Sequence, residues 1–113
     1  MTAQKLNEIE IAQALKSLPG WQVQGGKLSK EYRFRDFATA LGWMVKVGVY
    51  ADTLGHHPEW FNVYNKVVVN LATHDLGNVI SNLDVELARK MEEVGTFVRS
   101  QPLAKDQPNR PAT

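Results

Sequence analysis

Apolar residues at Ile9, Ile11, Ala12, Leu15 and Leu18 recur at helical spacing as far as Pro19-Gly20, and Asn7 with Glu10 three positions later forms a capping-box pattern. A short first helix is predicted there. The period then changes to two: Trp21-Gln22-Val23 and Leu28 to Phe34 alternate on either side of Gly25-Gly26, which reads as a β-hairpin. From Asp36, an N-cap residue, to about Leu54 the spacing is helical again, with two apolar stripes. Phe37, Leu41, Met44 and Val45 form one, continued by Gly48; Trp43, Val47, Tyr50 and Leu54 form the other. Pro58 cannot continue a helix and biases His57 away from helical backbone, so this helix should stop near Gly55. Trp60 to Tyr64 and Val67 to Thr73 read as a second hairpin joined through Asn65-Lys66, with His74 at the exit of the last strand. Ser81 with Asp84 repeats the capping-box pattern, and Val85, Leu87, Ala88, Met91, Val94 and Val98 carry a third helix to about Val98.

The order helix, hairpin, helix, hairpin, helix predicts an α+β fold, a four-stranded antiparallel sheet with three helices packed on one face. The 113 residues suit one domain, which we place at residues 1–99. Residues 100–113 hold three prolines and only one large apolar residue, and are expected to form a disordered tail. One sheet face can cover only part of the doubly apolar second helix. Its surplus surface fits either a deeply buried helix or one that also packs on another subunit, and a homo-oligomer, dimer or tetramer, is expected.

Composition narrows the function by exclusion. Net charge is only +1 and the basic residues are interspersed with acidic ones, so the clustered positive charge of a nucleic-acid footprint is absent. There is no cysteine, which excludes disulfides, thiolate metal sites and a cysteine nucleophile. The first residues lack the apolar stretch of a secretory signal, and no apolar run approaches the ~20 residues of a membrane span. A cytoplasmic protein without membrane contact is expected.

All three histidines, His56, His57 and His74, fall within a span of nineteen residues. Imidazole titrates near neutrality, so such a cluster beside carboxylates suits proton transfer in both directions. Asp52, one helical turn before His56, and Asp84 are the candidate carboxylates. Taken singly, each residue has a structural alternative: a histidine can cap the helix C-terminus, Asp84 can serve only as a cap, and Asp52 can be a solvated helix residue. A metal site is disfavoured, because adjacent histidines diverge on extended backbone and the helical i, i+4 spacing of many zinc sites is missing. Phosphate-cradling and nucleophile-elbow patterns are missing too.

The stretch ADTLGHHPEWFNVYNKVVVNLATHD resembles the signature of the pterin-4a-carbinolamine dehydratase family. The matching positions are the acidic Asp52, His56-His57-Pro58, the aromatic Tyr64, His74 and the downstream Asp84; LPGW at 18–21 is also similar. The resemblance covers about residues 5–98. It implies a dehydratase that converts 4a-hydroxytetrahydropterin to quinonoid dihydropterin plus water without cofactor or metal, after an aromatic amino acid hydroxylase has used the pterin. It implies further that His56, His57 and His74 line the pterin pocket, with Asp84 and Asp52 as polar support and Trp21 near the ring. Relative to the animal members, the loop from Asp75 to Ile80 is one residue longer, and Gly55 and Leu83 replace polar residues. The family also implies a second kind of function, a non-catalytic pterin-binding or protein-dimerisation module, since animal members act as dimerisation cofactors of a homeodomain transcription factor.

Overall fold

A computed structural model describes residues 1–99; the expected tail at 100–113 lies outside the described residues. The elements follow the predicted order: α1 (Glu8–Leu15), β1 (Gln22–Gln24), β2 (Lys27–Arg33), α2 (Phe37–Leu54), β3 (Glu59–Val63), β4 (Lys66–Leu71) and α3 (Asn82–Arg99), with a single 3₁₀ turn (His74–Leu76) between β4 and α3. The strands form one antiparallel sheet in the order β1-β2-β4-β3, so each hairpin contributes a neighbouring pair and β2 joins β4 at the centre.

Register assigns the two faces. Leu28, Tyr32, Val67, Val69 and Leu71 are almost completely buried and point to the helices, as does Trp60 opposite Val69. Ser29, Asn70 and Glu59 form a row on the other face. The core is aromatic at its centre: the Trp43 ring centroid lies 4.6 Å from that of Tyr32, 5.2 Å from Phe34 and 6.0 Å from Trp60. The indole N–H of Trp43 donates to the Met91 carbonyl at 3.1 Å, which ties α2 to α3 and pairs the buried nitrogen.

Both ends of α2 fall where the sequence puts them. Asp36 accepts the Thr39 N–H at 2.8 Å, and Gly55 takes the left-handed conformation (φ 72°) that closes the helix with paired bonds from Gly55 N–H to Asp52 and from His56 N–H to Ala51. Of the two stripes, Trp43 and Val47 are buried, joined by Ala40 and Ala51. Phe37, Leu41 and Val45 are instead about half exposed, with Val49 extending the row. Element boundaries differ from expectation by one to three residues; β4 ends at Leu71 and not at Thr73, and two other shifts have a visible cause. Helix α1 stops at Leu15 and not near Leu18, because the N–H groups of Lys16, Ser17 and Leu18 bond carbonyls three residues back and tighten the chain into a turn. Its inward face is Ile11, Ala14 and Leu15, leaving Ile9 and Ala12 in solvent. The second hairpin turns at Tyr64-Asn65, one residue earlier than expected. Asn62 donates its side-chain amide to the Tyr64 and Lys66 carbonyls and so holds Tyr64 at φ 51°.

Beside the turn that follows α1, Glu92 of α3 accepts from the Trp21 indole at 3.2 Å, from Lys30 at 2.5 Å and from the Tyr32 hydroxyl. Lys30 also donates to the Pro19 carbonyl at 2.6 Å, so one carboxylate binds the loop before β1, strand β2 and helix α3. Burial by itself pushes the Glu92 carboxyl up, but the hydrogen bonds from Lys30, Tyr32 and Trp21 and the Lys30 charge outweigh it and hold the group below its ordinary value of 4.5. A carboxylate depressed in the folded state stabilises above its unfolded value, and the contribution is lost as pH falls through the folded one. Glu92→Gln should therefore lower stability by about 2 kcal/mol or more at neutral pH. Urea titrations should show the gap to wild type narrowing as pH drops below the ordinary carboxylate range; a gap independent of pH would contradict the assignment.

Candidate active site

The C-terminal cap of α2 sets the site. Because His56 N–H is committed to Ala51, the chain leaves the helix with His56 turned inward and His57 turned out: His56 is buried and His57 exposed. Pro58 then restricts the backbone into β3. His74 arrives from the other end of the same hairpin, as the first residue of the 3₁₀ turn that follows β4. The three histidines line one pocket of about 320 Å³ together with Gly55, Pro58, Glu59, Thr73, Asp75, Leu83 and Ala3. That volume sits at the small end of the roughly 300–1,000 Å³ usual for small-molecule sites. A larger, mainly apolar groove of about 630 Å³ runs between α1 and the first turns of α3, but its lining holds no histidine. The smaller polar pocket is therefore where the histidine side chains are concentrated.

Asp84 lies behind that pocket, completely buried. Its Oδ2 accepts the Ser81 N–H at 2.9 Å and the Thr73 hydroxyl at 2.8 Å, while Oδ1 faces His56 Nε2 at 2.5 Å. The Ser81 hydroxyl meets that of Thr73 at 2.5 Å and accepts the Leu83 N–H. Asp84 thus performs both roles that the sequence allows it, with one oxygen each: Oδ2 caps α3 and Oδ1 holds the imidazole. With Oδ2 taken by two donors, the ring hydrogen belongs on Nε2, and Nδ1 is the nitrogen left for proton exchange.

Asp52 and His57 form a second pair, Oδ1 to Nε2 at 2.8 Å, with both side chains largely in solvent. Tyr64 lies at the opposite end of β3 from the pocket, roughly 17 Å away by strand length. Trp21 is buried edge-on to Tyr32 and is not among the residues lining the pocket; its polar contact is with Glu92. The residues absent from the sequence expectation are Thr73, Ser81 and Glu59. Thr73 and Ser81 flank His74 and Asp84, and the capping pattern pointed to Ser81 as a helix residue only. Glu59 enters through the register of β3 on β4. The loop from Asp75 to Ile80 turns through Gly77 (φ 88°) and Asn78 (φ 61°), while backbone bonds from Thr73 to Val79 and from Asn78 to Thr73 clamp its base. Gly55 occupies a left-handed position that glycine adopts without strain. Among the described residues no group of three or more histidine or acidic side chains is arranged to hold a metal ion.

A small α+β domain with an imidazole–carboxylate pocket at one end of its sheet is the class that fold and site define. The pterin 4 alpha carbinolamine dehydratase family model matches residues 4–94, and the chain belongs to that family. Relatives from Brucella ovis and Brucella canis, each named "Putative pterin-4-alpha-carbinolamine dehydratase", are 45% identical over 96 residues, covering 83% of this chain and 98% of theirs. A crystal structure described as that of a transcriptional coactivator/pterin dehydratase from Brucella melitensis superposes with a TM-score of 0.77 at 45% identity, covering 81% of this chain and 99% of that one.

Removing the Asp84 carboxylate would leave the His56 ring, the Thr73 hydroxyl and the Ser81 N–H without their partner. Asp84→Ala should cost about 3 kcal/mol or more in chemical denaturation, with Thr73→Val costing less, about 1 kcal/mol. Equal stability of Asp84→Ala and wild type would contradict the network.

Proposed function

We propose that the protein is a 4a-hydroxytetrahydropterin dehydratase acting by histidine acid-base catalysis. The observation that supports this best is that His56 and His74, carried by different segments of the chain, line the same pocket. Dehydration requires a proton delivered to the departing 4a-hydroxyl and removal of the proton on the neighbouring ring nitrogen N5. The C4a–O bond breaks, a C4a=N5 double bond forms, and water leaves with quinonoid dihydropterin. No electron acceptor is involved, and an acid and a base on either side of one bicyclic ring suffice.

His56 and His74 are assigned as that pair. His56, buried and oriented by Asp84, offers Nδ1; His74, on the solvent side, exchanges protons with bulk water. His57, paired with Asp52 at the rim, orients the pterin. Asp84 and Asp52 act through the rings they hold, and Trp21 acts at most through the packing of the loop before β1. In this reading the protein follows an aromatic amino acid hydroxylase that has used the tetrahydropterin, and supplies quinonoid dihydropterin for reduction and reuse by a separate reductase. The stopped-flow rate of quinonoid dihydropterin formation from chemically generated 4a-hydroxytetrahydropterin tests it. His56→Ala and His74→Ala should each lower the enzymatic rate by about a hundredfold or more, and His57→Ala by less. A folded wild-type protein that gives no acceleration would overturn the activity.

The exposed row Phe37, Leu41, Val45 and Val49 supports a second reading alongside the first, self-association through α2 into a dimer or tetramer. It is also the surface that a dimerisation-module function would use. Light scattering at micromolar concentration should give a multiple of the 12.7 kDa chain mass, and Leu41→Lys with Val45→Lys should reduce it. A monomeric wild type would contradict self-association.

A further inference from the structure

We propose that Glu59 is the third carboxylate of the site, a positioning residue that holds the His74 imidazole, and that Lys27 holds Glu59 in turn. The kinetic part of this inference rests on the dehydratase reading; the contact itself does not. Each imidazole in the pocket meets its own carboxylate, and each through Nε2: His56 meets Asp84 at 2.5 Å, His57 meets Asp52 at 2.8 Å, and His74 meets Glu59 at 3.4 Å. Two of these carboxylates, Asp52 and Asp84, stand out in the sequence as candidates. The third does not, because Glu59 and His74 are brought together only by the pairing of β3 with β4.

Glu59 is the first residue of β3 and points to the face of the sheet away from the helices, in a row with Asn70 and Ser29. From there one oxygen, Oε1, accepts from Lys27 Nζ at 2.7 Å, which leaves Oε2 turned toward His74. Lys27, at the start of β2, comes from a strand not adjacent to β3, so the carboxylate is fixed from across the sheet. His74 needs such a restraint more than His56 does. It sits on a single 3₁₀ turn with its side chain 64% exposed, so its ring carries rotational freedom that must be lost before directed proton transfer.

An ion pair this open contributes little to stability. Its effect falls on ring orientation and on which nitrogen carries the hydrogen: a carboxylate at Nε2 favours hydrogen there and presents Nδ1 for exchange, as Asp84 does for His56. A ligand covering the pocket would exclude water and strengthen the contact. Glu59 therefore acts through His74 and is not itself a proton donor to substrate.

The test compares Glu59→Gln with Glu31→Gln, a control on the same sheet face whose carboxylate pairs with Arg33. Nitrogen-15 signals of the His74 ring should report hydrogen on Nε2 in wild type and in Glu31→Gln, and a mixture of tautomers in Glu59→Gln, at unchanged melting temperature. In turnover of 4a-hydroxytetrahydropterin, Glu59→Gln should lose about tenfold in kcat with KM within about twofold, less than the hundredfold or more supplied by an acid-base group itself. Lys27→Met should shift both readouts in the same direction by a smaller amount. Unchanged His74 ring signals in Glu59→Gln would overturn the contact, and changed signals with unchanged kcat would overturn the positioning role. A wild type without turnover would remove the dehydratase reading, while the ring signals would still decide whether Glu59 orients His74.

Discussion

Burying a carboxylate without partners costs several kcal/mol, and Asp84 is buried completely. What makes that tolerable is the set of donors converging on it: a backbone N–H at the start of α3, a hydroxyl just after β4, and an imidazole just after α2. Each comes from a different segment, so satisfying one side chain requires the ends of three elements to meet at one point. The same requirement fixes the His56 ring, because the buried oxygen leaves it one orientation. Stability and the orientation of the His56 ring are here the same constraint.

A second carboxylate, Glu92, does comparable work elsewhere without lining the pocket. It gathers Trp21, Lys30 and Tyr32 against α3 and holds the loop before β1 to the sheet. The two networks divide the polar interior: one supports the packing of the loop and β2 on α3, the other shapes the pocket. Asp52 and Glu59 belong with the second but stand at its solvent side, where pairing costs little and stabilises little. The pocket is thus graded, from a rigid buried imidazole to two rings whose partners are within reach of solvent.

Most of the fold was legible because local signals and the global arrangement agree. Asp36, Gly55 and Pro58 bracket α2, the Gly25-Gly26 pair with positive φ at both residues makes the first hairpin, and alternation along β2 and β4 marks the buried face. Where expectation missed, local hydrogen bonds were decisive: the Asn62 side chain moved the second turn, and backbone bonds three residues back shortened α1. The histidines and Asp84 were legible by residue type and by resemblance. The meeting of His56 and His57 with His74 depends on β3 pairing with β4 in a particular register, and Glu59 depends on it entirely, since only that pairing carries it to His74. Periodicity could mark Phe37, Leu41 and Val45 as apolar, but it could not distinguish a second buried face from an exposed one.

A crystal structure with a dihydropterin bound tests the central claim most directly. The account predicts the pterin ring in the histidine pocket, with its C4a–N5 edge within hydrogen-bond reach of His56 Nδ1 and the His74 ring, and with the Asp84–His56 contact retained. A pterin seated in the groove between α1 and α3, or one bound with His56 turned away from Asp84, would contradict it.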